Sequence, residues 1–288
     1  MVKTIGNPLS WTLDAVFGAS RAAGEAVGAL GTEITEVPKT NPIDSADIRK
    51  ALRMGLDDFK SMRSDVIFLV LIYPIIGATL VVMAFNKTLL PLIAPLAAGF
   101  ALLGPVAAIG LYEMSRQRET NKEIRWHAAL SALSARNLGP VLVLGFYLLC
   151  LFLAWMCCAY LIYILTLGPE PPASAGTFLL DVTTTQAGWA MVIVGLGVGF
   201  LFACLVLVIS LISFPMLIDQ HVGVSIAVAT SIKVAKQSPA TVLQWGFIVA
   251  ALMAIGTLPF FLGLVVVLPI LGHATWHLYR AAVPMKGG

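Results

Sequence analysis

The chain has 288 residues, 59% hydrophobic and only 11% charged, with a formal net charge of +3 and a mean hydropathy of +0.91. A water-exposed domain carries about 25% charged residues, so a soluble enzyme, a nucleic-acid-binding module and a disordered chain are excluded. The composition is that of a polytopic membrane protein.

Residues 1–45 are rich in Gly, Ala and Ser, with one short amphipathic stretch at Trp11–Phe17 and a turn-forming run at Pro38–Pro42. They read as a mobile cytoplasmic arm. Asp14, Arg21 and Glu25 interrupt any apolar core of the roughly 7–15 residues that a signal peptide needs, so a later segment is expected to direct insertion. Ile48, Leu52, Leu56, Phe59 and Met62 then recur every three or four residues and predict an amphipathic helix.

Five windows follow that contain no Asp, Glu, Lys or Arg: Val66–Asn86, Thr88–Tyr112, Asn137–Pro169, Val182–Ile218 and Gln237–Tyr279. A span needs about 20 apolar residues, so the first four hold one span each. The last would make a helix of about 64 Å at 1.5 Å per residue, twice a membrane's thickness. Pro259, between Gly256 and Gly263, divides it into two spans, one kinked helix being the alternative. The predicted spans are 66–86, 88–112, 138–167, 187–218, 241–258 and 260–279, within a membrane domain at 46–283 and ahead of a short tail at 284–288.

Two further amphipathic segments precede later spans, one with Trp126, Leu130, Leu133 and Leu138, the other with Val222, Ile226, Ala229 and Ile232. Pro140 and Pro239 occupy equivalent places after them. The returning spans also end alike: Leu103-Gly104-Pro105 precedes Tyr112, Leu268-Pro269 precedes Trp276, and Phe214-Pro215 precedes Asp219. The expected fold is an all-α membrane protein with six transmembrane helices in three hairpins, each hairpin preceded by an amphipathic cytoplasmic helix.

Of 18 Lys and Arg, only Lys87 falls on the outer side of this layout, so the positive-inside rule puts both termini in the cytoplasm. The Pro-rich loop Gly168–Gln186 then faces outward.

Four runs carry a resemblance: Arg63-Ser64-Asp65-Val66, Leu102-Leu103-Gly104-Pro105, Gly110-Leu111-Tyr112-Glu113-Met114-Ser115-Arg116 and Leu271-Gly272-His273-Ala274-Thr275-Trp276-His277-Leu278-Tyr279-Arg280. Over about Asp47 to Val283 the chain resembles a bacterial family of predicted integral membrane proteins catalogued as a domain of unknown function. The resemblance implies a bacterial inner-membrane setting and brings no established activity. Some members carry a cytochrome c oxidase label. A haem–copper catalytic subunit needs more spans and more buried histidines than six spans and four His supply.

His273 and His277 stand four residues apart, on one helix face, and are the candidate metal or haem ligands. The competing reading seats them, with Trp276 and Tyr279, in the headgroup region. His127 and His221 fall on the same side of the membrane. Asp219 and Glu113 are candidates for lining a pathway or for pairing with a cation, Lys233 for the first and Arg116 or Arg136 for the second. Gly195-Leu196-Gly197-Val198-Gly199 lies mid-span and suits helix contact, not phosphate. Cys150, Cys157, Cys158 and Cys204 read as packing residues. Pro74, Pro105, Pro215, Pro259 and Pro269 read as kinks.

No Lys, Arg or carboxylate sits deep in a predicted span, which argues against a proton-coupled pump. No nucleophile–base pair or nucleotide loop emerges, so no catalytic role and no cofactor is expected beyond the two histidines. The expected function is a non-catalytic accessory or scaffold component of the bacterial inner membrane. The alternative is a channel or carrier for a small neutral or hydrophobic solute. Expected partners are the lipid bilayer, other inner-membrane proteins or a second copy of the chain, and no nucleic acid.

Overall fold

The computed structural model describes residues 37–61, 75, 77–79, 82, 89–102, 104–120, 135–220, 222–259 and 261–284. The arm up to residue 36, most of the span at 66–86, the segment from Trp126 with His127, His221 and the tail from 285 lie outside them. All regular structure among the described residues is helical. Three helices there are long and apolar enough to cross a membrane: Leu138–Thr166, Gln186–Asp219 and Pro239–Thr257.

The window at 88–112 departs from a single rod. After a 3-10 turn at Leu90–Leu92 come α2 (Ile93–Leu102), α3 (Gly104–Ala107) and α4 (Ile109–Glu119), following α1 at Ser45–Ser61. Pro105 has no N–H to offer the preceding turn, and among the described residues the helix is interrupted at Ala108. Helix α4 continues past Tyr112 and carries Glu113–Glu119 with it. Helix α5 (Ala135–Thr166) matches the expected third span. The loop at 168–186 holds a short helix, α6 (Ala175–Thr184), opened by a reciprocal capping box between Ser174 and Thr177.

The fourth window gives α7 (Gln186–Ser210) and α8 (Ser213–Asp219). Pro215 cannot donate to the carbonyl of Leu211, so the helix breaks at Leu211–Ile212. Ser231, on α9 (Val224–Gln237), mends the break. Its hydroxyl donates to the Val208 carbonyl at 2.6 Å and accepts the Ile212 N–H at 3.2 Å. The last window is divided into α10 (Pro239–Thr257) and α11 (Leu264–Ala282). Between them Phe261 takes a positive φ of 65°. The glycines are needed because a Cβ on Gly263 would lie 2.8 Å from the Gly256 backbone.

Helix α11 is the hub. From Leu271 to Ala282 it is almost wholly buried, against α1, α4 and α8. Trp276 and Tyr279 are both fully buried within the bundle. Helix α1 departs in part from its predicted face. The buried residues are Ile48, Ala51, Gly55, Asp58 and Phe59, while Leu56 is exposed. Small residues join Ile48 and Phe59 of the expected stripe in the contact: a Cβ on Gly55 would sit 2.7 Å from the Ala274 nitrogen and 2.8 Å from the Ile270 oxygen. Helix α9 follows the same rule, burying Ala227, Thr230, Ser231, Val234 and Ala235. Packing through small residues lets backbones approach where lipid offers no hydrophobic drive between helices.

The end of the expected arm is tied down. Asn41 donates its N–H to the Ala282 carbonyl, Ile43 to the Ser238 hydroxyl, and the Lys233 ammonium donates to the Pro38 carbonyl. Cys150 and Cys157 are exposed on the outside of α5, so they do not pack in the interior as expected.

Candidate functional site

Two features converge on the last helix: a polar network around its C-terminal half, and an apolar cavity beside it.

Asp58 of α1 is 4% exposed and meets three donors. The Ser115 hydroxyl of α4 donates to Oδ2 at 2.7 Å, His277 Nε2 approaches the same oxygen at 2.9 Å, and the Arg118 guanidinium donates to Oδ1. Burial pushes the Asp58 carboxyl up, yet the hydrogen bonds from His277 and Ser115 outweigh it and hold the group below its ordinary value. An ionised carboxylate only accepts. The single Ser115 proton is therefore spent on Asp58, and its oxygen accepts Nδ1–H of His273 across 2.7 Å. His273 Nε2 is sealed from solvent with no hydrogen-bond partner.

The two histidines thus share a face, as their spacing predicts, and each directs a ring nitrogen into hydrogen bonds with Ser115 or Asp58. That geometry suits proton donors around one carboxylate. Among the described residues no group of three or more His, Cys, Asp or Glu is arranged to hold a metal ion.

Asp219, at the end of α8, pairs with Arg280 and not with Lys233. Two guanidinium nitrogens reach its oxygens at 2.6 and 2.8 Å, and the Tyr279 hydroxyl donates to it at 2.6 Å. Arg280 also donates from Nε to Glu119 at 2.9 Å and lies over the Trp276 ring, 4.7 Å from its centroid. Trp276 donates its indole N–H to Glu119 at 2.9 Å. A bidentate, half-dry pair of this kind couples more strongly than a solvated one. A double-mutant cycle on Asp219→Ala and Arg280→Ala is expected to give a coupling of about 1–3 kcal/mol in detergent unfolding; a value near zero would reduce the pair to a screened contact.

Glu113, 2% exposed, is held within its own helix by Arg116 at 2.7 and 2.8 Å and by Gln117 at 2.7 Å. Neither carboxylate lines the cavity described next. Asp58, Ser115, Arg118 and Glu119 were not legible as site residues. The one available signal was Asp58 standing three residues after Gly55 on the small-residue face of α1.

The cavity measures about 510 Å³, within the roughly 300–1,000 Å³ of small-molecule pockets. Its walls come from α3, α4, α7, α10 and α11 and carry no charged residue. Leu111, Tyr112, Gly272 and Thr275 form the part of the wall next to the polar network. Phe200 of α7 and Leu243 and Phe247 of α10 line it from helices that are candidate spans, and all three are exposed, Phe247 by 76%. The opening therefore faces whatever surrounds the spans.

Residues 92–219 match the model of a family described as a predicted integral membrane protein (DUF2189). Two of the four motif runs, at 102–105 and 110–116, lie inside this stretch. No curated protein and no solved structure matches the chain.

Proposed function

We propose that this chain is a non-catalytic integral membrane protein whose helix bundle admits a lipophilic molecule from the bilayer, in the manner of a carrier or lipid-holding component. The observation that carries this reading is the uncharged cavity with exposed aromatic side chains at its opening. A soluble ligand would have to cross lipid to reach such an opening, whereas a lipid-dissolved one is already there. The setting proposed with it is a bacterial inner membrane with both termini cytoplasmic, supported by the one-sided distribution of Lys and Arg.

The test is extraction of purified protein. In mild detergent the wild-type chain is expected to retain about one lipophile per protein through size exclusion. Ala250→Trp, which places an indole in the cavity wall, is expected to release at least nine-tenths of it with an unchanged elution profile. Equal lipid content in the two proteins would defeat the proposal.

The accessory reading draws on a separate observation. A Cβ on Gly195 of α7 would meet nothing within 4 Å, leaving room at that point of the helix surface for a helix of another membrane protein to approach. A protein held stoichiometrically by the wild-type chain and lost on Gly195→Leu would favour it.

A further inference from the structure

Building on that reading, we propose that the occupant is a neutral lipid bearing a hydrogen-bond acceptor, such as an ester carbonyl, which it presents to Trp245 and Ser210. Trp245 of α10 is 1% exposed and Ser210 of α7 is 4% exposed, and both line the cavity. Among the described residues neither the Trp245 indole N–H nor the Ser210 hydroxyl makes a hydrogen bond. The one fully sealed, unpartnered polar side-chain atom among those residues is His273 Nε2, so these two donors open onto the space they line. Elsewhere in the wall Thr275 donates its hydroxyl to the Leu271 carbonyl at 2.7 Å, and Tyr112 has an interaction of its own.

An indole N–H can only donate, and a hydroxyl can donate as well. Buried donors find acceptors, and the described residues supply none to these two. A pure hydrocarbon would leave both unsatisfied. An ionised head group would enter an uncharged wall, since the nearby carboxylates and guanidinium groups are committed to one another, and an unpaired charge there is heavily disfavoured. A neutral carbonyl satisfies the donors and leaves the chain to run along the apolar wall toward Phe247.

Three probes with the same chain separate these cases: methyl oleate, oleate at alkaline pH, and octadecene. Binding to delipidated protein in detergent is expected to be at least tenfold tighter for methyl oleate than for either of the others. Trp245→Phe removes the N–H and keeps an aromatic ring of smaller size. It is expected to weaken methyl oleate about fivefold, the worth of one hydrogen bond, without changing octadecene. Ser210→Ala gives a second, smaller variant with the same expected pattern, should the tryptophan variant not fold. Equal affinity for the three probes, or variants that leave methyl oleate unchanged, overturns this inference while leaving the cavity in use. Failure of every probe to distinguish wild type from Ala250→Trp overturns the underlying reading instead.

Discussion

Asp58→Ala is expected to cost about 3 kcal/mol of stability, read from thermal or chemical unfolding in detergent. Removing one partner of a buried ionic network costs about 3–5 kcal/mol because the others stay behind uncompensated. Here the share differs by donor. The Arg118 side chain is 38% exposed and turns to solvent, whereas Ser115 and His277 have nowhere to go. That places the expected loss at the lower end. Asp58→Asn keeps an acceptor oxygen and should recover part of it. The charge adds a pH signature. A carboxyl held below its ordinary value of 3.8 contributes stability that is fully present above that value and lost as pH falls through the lower, folded one. The gap between wild type and Asp58→Asn should therefore narrow as pH falls below 3.8. A loss under about 1 kcal/mol for the alanine variant would mean the network contributes little to holding α1.

The second large effect is expected at Gly55, where two influences have opposite sign. Alanine is the better helix former by about 1 kcal/mol, which alone would stabilise α1. The added Cβ, however, meets backbone atoms of Ala274 and Ile270 at 2.7 and 2.8 Å, and backbone on a buried helix does not yield. Overpacking of this kind costs about 1–3 kcal/mol, so Gly55→Ala should destabilise and Gly55→Val should do so more severely. Gly197→Ala is the control: its Cβ would meet nothing within 4 Å, and propensity alone should leave it neutral or slightly stabilised. A melting temperature that rises for Gly55→Ala would show that α1 does not lie against α11 as described.

The membrane character and the long helices were legible because apolar runs are their cause. The expected span at 138–167 falls on Leu138–Thr166, and the division of the last window at Pro259 falls in the turn before Leu264. The kink expected at Pro215 is a full break at Leu211–Ile212, which the donor that proline lacks explains. The faces of α1 and α9 were read only in part, for a single physical reason. A search for large apolar side chains finds Ile48 and Phe59, which are buried, together with Leu52 and Leu56, but misses that Ala51, Gly55 and Asp58 allow the close approach. The site was half visible. Helical spacing aligned His273 with His277, and Asp219 and Glu113 stood out as charges at span ends. Their partners could not be read, since Asp58 and His277 are 219 positions apart and only the fold brings them together.

That separation bears on how the chain is made. Helix α1 emerges from the ribosome early, whereas the hub it leans on is completed only after residue 282. At the usual pace of synthesis, about 5–20 residues per second, the interval is roughly 10–40 s. Throughout it, Asp58 has neither histidine to bind and Gly55 no backbone to lie against. The first helix must wait in solvent or on the membrane surface, and the final helix acts as the clasp that gathers its predecessors. A ribosome that stops short of residue 264 therefore leaves the earlier helices without their centre.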